Sequence, residues 1–557
     1  MKQTWIAVMV VVVAGCSSPA KKSSNEPAGG GASGAGSGSA TSQVTKAARG
    51  AACEPSESDP QGSCGDGMFC MPMFPGGYCM SFCGGAGTAC GDGVCAESPR
   101  AGEVCLAGCA SDADCRGDEG YVCDPTWKAC TMPEMLGPKI AACDEPARKR
   151  GIFDAAEEVS TAAGPGLYHH EIAAGLLPNG AIVGLYIAGG AMGAPNSLGM
   201  VRVAADGTLI EGDREFKTAR ENHFDPWVAV DKKGVVHAVW LGFDGGHAPE
   251  KNMEIGYARS ADGGKTWTEP RPIQAVADCP AGTDGCMDKP MIAIGPDPKK
   301  KGKQIIYVSY YSEPAEGMRL VTSRDGGDTF SETSVAVLPG AYGDLEVDSK
   351  GVVHAVAVVS SPAHAFGSPD GTIQYTRSTD GGATFSEPVT VSASAEDIPF
   401  YFVNPTLGID AKGKRVDIAY ASGGPDLKWN IALVSSKDGK KWSRMLVDAG
   451  SACNHSVPNL AEDASGKVHL TWAESRGGGA IAHTTCTTSK CAAPDLVSSQ
   501  PFARYSFARH AAVWTGEYAT LLVDAKHKRI HALWSQVVDE DGKAVARIFH
   551  AAGKLSK

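Results

Sequence analysis

Ser260-Ala261-Asp262-Gly263-Gly264-Lys265-Thr266-Trp267 is one of four copies of a short pattern in this chain of 557 residues. It returns as SRDGGDTF, from Ser323 through Asp325 to Phe330, and as STDGGATF, from Ser378 through Asp380 to Phe385. A shortened copy, SKDGKKW, carries Asp438 and Trp442. Self-similarity of this kind marks a repeat architecture. In each copy the aspartate can accept backbone N–H groups of its own turn, and glycines such as Gly264 take positive φ at little cost. The copies therefore read as tight turns, each closed by an aromatic ring that can cover a sheet edge.

Short β-branched strands recur with the turns, at 181–186 (AIVGLY), 235–240 (VVHAVW), 305–310 (IIYVSY), 352–357, 415–420, 467–472 and 529–534. One further strand precedes each of them and two follow. Four antiparallel strands per unit, repeated radially, predict an all-β, seven-bladed propeller over residues 151–557. The seventh unit lacks an outer strand, and residues 151–160 can supply it, leaving no open edge. His237, His354, His469 and His531 hold one strand position and read as packing residues. Unit six has Cys486 and Cys491 where its turn should stand.

The turns resemble the Asp-box, or bacterial neuraminidase repeat, of sialidase-like propellers. That resemblance implies that Ser260, Asp262 and their counterparts are scaffold, on the face opposite a ligand site. It also supplies six blades, the sialidase number, as the alternative count. The residues entering the inner strands then line the mouth. They include His169, His170, His223, Tyr342, Asp344, Asn404 and His455, joined by Arg509 as candidate ligand-binding residues. Imidazoles with carboxylates suit sugar hydroxyls or a divalent cation, so the only cofactor the mouth could hold is a structural cation. By resemblance to sialidases, Tyr518 would be a nucleophile beside Glu517, with Asp225 or Asp288 as acid. The chain departs from that family in lacking a Phe-Arg-Ile-Pro segment. Arg220, Arg476 and Arg509 do not match the family's carboxylate-gripping arginines.

At the N-terminus, Lys2 and the apolar run 5–14 end in Val13-Ala14-Gly15-Cys16, which resembles the lipobox of bacterial lipoproteins. The resemblance implies loss of residues 1–15 and acylation of Cys16, and Ser17 points to the outer membrane. Residues 16–52, rich in Gly, Ser and Ala, read as a tether with a mean reach of roughly 30–35 Å. Residues 53–143 carry twelve cysteines up to Cys130 and few aliphatic side chains, so disulfides must hold them. They resemble small EGF- or Dickkopf-like repeats. The spacing of Cys64, Cys70, Cys79 and Cys83 is echoed by Cys90, Cys95, Cys105 and Cys109, with a partial third copy, and the connectivity stays open. Cys279 with Cys286, and Cys486 with Cys491, are near enough to pair locally, which leaves Cys143 to pair with Cys453.

The net charge of −12 argues against a nucleic-acid partner. The expectation is a monomeric cell-envelope lipoprotein, held to the outer membrane by its lipid, whose propeller binds a glycan or protein without catalysis. The alternatives are an exo-acting, sialidase-like glycoside hydrolase and a structural envelope propeller.

Overall fold

The computed structural model describes residues 47–54, 63–65, 67–71, 74–83, 90–98, 102–132, 143–166, 168–189, 195–245, 251–279, 286–359, 371–394, 405–423, 428–502, 515–541 and 543–555. From residue 157 onward these form seven four-stranded antiparallel sheets. The first runs from its inner strand Tyr168–Leu176 through Ile182–Gly189 and Ser197–Val203 to Leu209–Phe216. The other inner strands are Asn222–Val230, Met287–Pro296, Ala341–Val347, Thr406–Ile409, His455–Glu462 and Thr520–Asp524. Each inner strand contacts the next, and the seventh contacts the first, so they line one closed ring. The seventh sheet takes its outer strand, Glu157–Glu158, from upstream of the first, paired to Phe549 and His550. Closing a ring in this way leaves no unpaired ladder.

Apolar side chains from facing sheets fill the spaces between neighbours. Trp240, Tyr257, Tyr307, Tyr375 and Trp472 are all fully buried there. The repeated histidines sit in these layers, each joined to a ring on the next strand. His237 and His354 bond the hydroxyls of Tyr257 and Tyr375 at 2.7 Å, while His469 and His531 bond His483 and His550 at 3.1 and 3.0 Å.

The Ser-x-Asp turns close as their chemistry requires. Ser260 Oγ accepts the Gly264 N–H at 2.9 Å, and Asp262 accepts the Thr266 N–H at 2.9 Å and its hydroxyl at 2.7 Å. The turns beginning at Ser323 and Ser378 repeat these bonds. The turns also clasp the preceding sheet. Phe330 packs edge-on against Tyr257, Trp442 against Tyr375 and Trp267 against Phe216, each about one sheet back. Arg202 donates to the Gly263 carbonyl, Arg259 to Gly326 and Arg324 to Gly381. The aromatic expected to cover its own sheet's edge thus joins two sheets.

Two adjacent glycines separate conformation from space. Gly326 has φ +79° with nothing nearer an added Cβ than Arg259 at 4.0 Å; Gly327 has φ +90°, and a Cβ there would lie 1.8 Å from the Tyr257 hydroxyl. Gly326→Ala should lose about 1 kcal/mol, the left-handed penalty alone. Gly327→Ala should lose about 3 kcal/mol, because the neighbouring sheet must also shift. Urea unfolding midpoints check this, and equal losses would refute the clasp.

The region before the sheets is held by three crossed pairs of disulfides. They are Cys53–Cys70 with Cys64–Cys79, Cys83–Cys95 with Cys90–Cys105, and Cys109–Cys123 with Cys115–Cys130. The repeating unit therefore begins at Cys53, Cys83 and Cys109, and the third copy is complete rather than partial. The expected frame was one cysteine late, since an alternating spacing does not show where a unit starts. Tyr78 and Tyr121 form the small core with Phe74 and Trp127. Cys143–Cys453 ties this region to the sixth sheet across 310 residues, and Cys279–Cys286 and Cys486–Cys491 close local loops. The last of these replaces a turn and is worth roughly 2 kcal/mol on the loop-entropy model. Around the long bridge, Arg148 pairs with Glu474 at 2.8 Å and with Asp448, and Arg476 pairs with Glu145 at 2.6 Å.

Candidate functional site

Five of the seven inner strands break register near their entry. The shifts fall between His170 and Ala173, Phe224 and Trp227, Asp288 and Met291, Ala341 and Gly343, and Ser456 and Asn459. A bulge leaves a residue outside the ladder and re-aims its side chain. The residues so placed are Glu171, Asp225, Lys289, Tyr342 and Val457, all with φ between 47 and 54°. Proline follows three of them, where no N–H is needed. Counting along the seventh strand from Leu522, which faces His531 as Ala229 faces His237, puts Tyr518 at the equivalent place. The fifth counterpart, Asn404, lies outside the described residues.

In the six sheets whose entry is described, one residue takes this position, and charge collects around Lys289. The Lys289 ammonium lies 2.6 Å from Asp225, 2.8 Å from Glu517 and 3.9 Å from Glu171, over the Tyr342 ring at 5.4 Å. All four charged groups are less than one-tenth exposed. Gly516 makes room: an added Cβ would lie 2.4 Å from Glu171 Cγ. Burial would lower the Lys289 pKa, but Asp225, Glu171 and Glu517 raise it well above its usual value, so it is a cation. Burial would raise Asp225, yet Lys289 and a hydrogen bond from Glu171 hold it below the usual carboxylate range. Burial, only partly offset by Lys289, drives Glu171 well above that range, and it keeps its proton.

Tyr518 is buried, donates to the Pro226 carbonyl at 3.0 Å and tilts against Trp227 at 4.9 Å. Burial, then the Glu171 and Asp225 carboxyls, push its pKa well above 10. A nucleophile needs the opposite, a base able to take its proton. The carboxyls that could hold a divalent cation converge on Lys289, so the ammonium already fills that place.

The other expected site residues are dispersed. His169 bonds Ser160 and the Pro165 carbonyl, at 2.7 and 2.9 Å, in the joint with the seventh sheet. His170 is buried one residue before Glu171, and His223 bonds Thr218 and the Asn196 carbonyl. Asp344 accepts N–H groups of Leu345 and Leu407, both at 2.8 Å, and so joins the fourth inner strand to the fifth. His455 lies beside Trp472, 3.6 Å from Glu474 and 3.8 Å from Asp448, under Arg148. Asp288 is half-buried and accepts the Lys289 N–H at 2.8 Å, outside the ring. Cys16 and Arg509 lie outside the described residues. Sequence reading thus missed Lys289 and Glu171, each next to a residue it chose. The Asp-Pro, Lys-Pro, Asn-Pro and Val-Pro steps at one register were the available signal.

No protein-family model and no curated protein matches the chain. Among solved structures it is similar to a protein of unknown function from Dyadobacter fermentans, at 13% identity, over 73% of this chain and 99% of that one, with a TM-score of 0.41. It is similar to an α-L-arabinofuranosidase from Fusarium graminearum at 14% identity, over 73% and 99%, also with 0.41. The intramolecular trans-sialidase of Ruminococcus gnavus is similar at 12% identity, over 58% and 92%, again with 0.41.

Proposed function

We propose that the seven sheets are the blades of one propeller, and that its mouth binds a glycan or a protein partner without catalysis. The supporting observation is the state of the axial groups. Lys289 neutralises the carboxylates nearest it, Glu171 keeps its proton, and the Tyr518 hydroxyl is spent on a backbone carbonyl. Such a cluster is a rigid floor, and a ligand would meet the rim above it. In this reading Cys16 is acylated, the chain is monomeric in the outer membrane, and residues 53–143 form a disulfide-rich spacer.

A fluorogenic sialoside and an arabinofuranoside, assayed with the chain from residue 18 onward, test the catalytic part. The expected result is no turnover. Turnover abolished by Tyr518→Phe would establish the exo-hydrolase alternative. A glycan array with the same protein then separates a glycan ligand from a protein partner.

A further inference from the structure

The face opposite the mouth is built from two sets of turns, and their charges are lopsided. Both sets lie at one end, since each sheet is a four-stranded meander. Contacts between them agree: Arg324, in a third-to-fourth turn, pairs with Asp297 of a first-to-second turn at 3.1 Å, and Arg529, beside the last first-to-second turn, donates to the Asp206 carbonyl at 3.2 Å across the ring closure. The turns joining first to second strands hold thirteen Lys and Arg against five Asp. Those joining third to fourth strands, as far as the closing aromatic, hold six against six. This end therefore carries a net +8 in a chain of net −12. Counting Glu269, Glu332 and Glu387 on the outer rim leaves it at +5.

The two signs also sit at different depths in one set. In the first-to-second turns the aspartates are buried or half-buried, whereas Asp206, Asp262, Asp325, Asp328 and Asp438 of the other set are exposed. Asp231 accepts the N–H groups of Lys233 and Val235, Asp348 those of Lys350 and Val352, and Asp463 those of Ser465 and Lys467. The amines face outward. Lys299, Lys300, Lys301, Lys412, Lys440 and Lys441 are exposed, and none makes an ion pair among the described residues. The arginines nearby are mostly spent on neighbouring turns, as with Arg259 and Arg324. What remains outward is a broad disc of strongly hydrated point charges. Lysine on this scale suits a diffuse anionic surface better than bidentate recognition of one group.

We propose that this face docks on an anionic lipid surface, leaving the mouth directed away from it. Each lysine near such a surface adds to the attraction, which falls off within a Debye length of about 10 Å at 0.1 M salt. The tether expected from the sequence does not oppose this. About 36 residues extend to roughly 120 Å, against roughly 33 Å for a ten-residue strand, so an anchor alone leaves the choice of face to charge.

The test uses the full chain with Cys16→Ala, so that no acyl chain contributes. Sedimentation with vesicles of phosphatidylcholine, or of phosphatidylglycerol mixed with phosphatidylcholine, is measured at about 50 mM salt. Comparing the two cancels apolar adhesion by residues 1–15, and the charge reversals below, which leave Lys2 in place, separate its electrostatic share. Partition to the anionic vesicles should be at least about tenfold stronger, and lost at about 500 mM salt. Reversing five charges, with Lys299→Glu, Lys300→Glu, Lys301→Glu, Lys440→Glu and Lys441→Glu, should reduce it at least about tenfold. Lys217→Glu with Lys251→Glu, near the other face, should leave it unchanged. Equal partition to both vesicles, or no effect of the five reversals in a protein of unaltered unfolding midpoint, overturns the proposal. Salt-sensitive binding to heparin without binding to vesicles overturns it in favour of a soluble polyanion.

Discussion

Replacing Lys289 with methionine should cost about 3–5 kcal/mol of folding stability, because it leaves three buried carboxyls facing one another without a cation. The side chains are similar in length, so little of the loss is packing. Its pH dependence identifies the cause. Without the ammonium, the folded-state pKa of Asp225 should rise above its unfolded value, and that of Glu171, already raised by burial, should rise further. A group shifted upward gives its full stability below the unfolded pKa and loses it as pH rises through the folded one. The deficit of Lys289→Met should therefore be largest near pH 7 and shrink towards pH 4. Urea unfolding at both pH values reads this, with Lys217→Met as a surface control expected within about 0.5 kcal/mol of the parent. A deficit that does not change with pH would mean that Lys289 acts by packing.

The parent protein should lose stability steeply between about pH 6.5 and pH 4. Burial lowers His169, His223, His237, His455, His469 and His531 to about 4, and His170 and His550 to about 3. The unfolded chain binds protons at these groups from about pH 6.5 downward, the folded chain only near 4 and below, so acid favours unfolding across that window. A tenfold loss of proton affinity on folding corresponds to about 1.4 kcal/mol, and eight groups share the effect. Five carboxyls act in the opposite sense, among them Glu158, raised by burial, and Glu171, driven by burial well above its usual value. Burial raises Asp344 to about 6, Glu346 to about 8 and Glu462 to about 10, so they gain stability on acidification. Glu346 is exposed along its strand, which reduces its share. The net expectation is a loss of at least about 3 kcal/mol between pH 7 and pH 4.5. Unfolding free energies that stay level across the window would show that the buried imidazoles are solvated in the folded state.

The sheets were legible because strands and turns are local. The alternation of VVHAVW, the Asp-Gly-Gly turns and the missing last outer strand each carry their meaning within a few residues. The site was less legible because it is made by register. Whether Asp288 or Lys289 reaches the axis depends on a one-residue bulge, and a shift of one residue in a strand reverses which face a side chain takes. The repeated histidines His237, His354, His469 and His531 read as packing residues, but the sequence did not show that Tyr257, Tyr375, His483 and His550 on neighbouring strands would bond their Nδ1 atoms. Those partners lie 14 to 21 residues away, beyond the reach of a local pattern.

The closure by Glu157–Glu158 sets an order of events as the chain is made. Its partners Phe549 and His550 are synthesised only after all the other sheets' strands, and Cys453 follows Cys143 by 310 residues. The six disulfides of the first region span only 12 to 17 residues. They can form while most of the chain is still emerging. The ring cannot shut until the strand Lys543–Lys554 arrives, and contacts of such long sequence separation fold slowly. The early strand 157–158 must wait unpaired through that interval. Oxidation should therefore occur in two phases, a fast one at the local bridges, Cys279–Cys286 and Cys486–Cys491 included, and a slow one at Cys143–Cys453 that reports assembly of the sixth sheet.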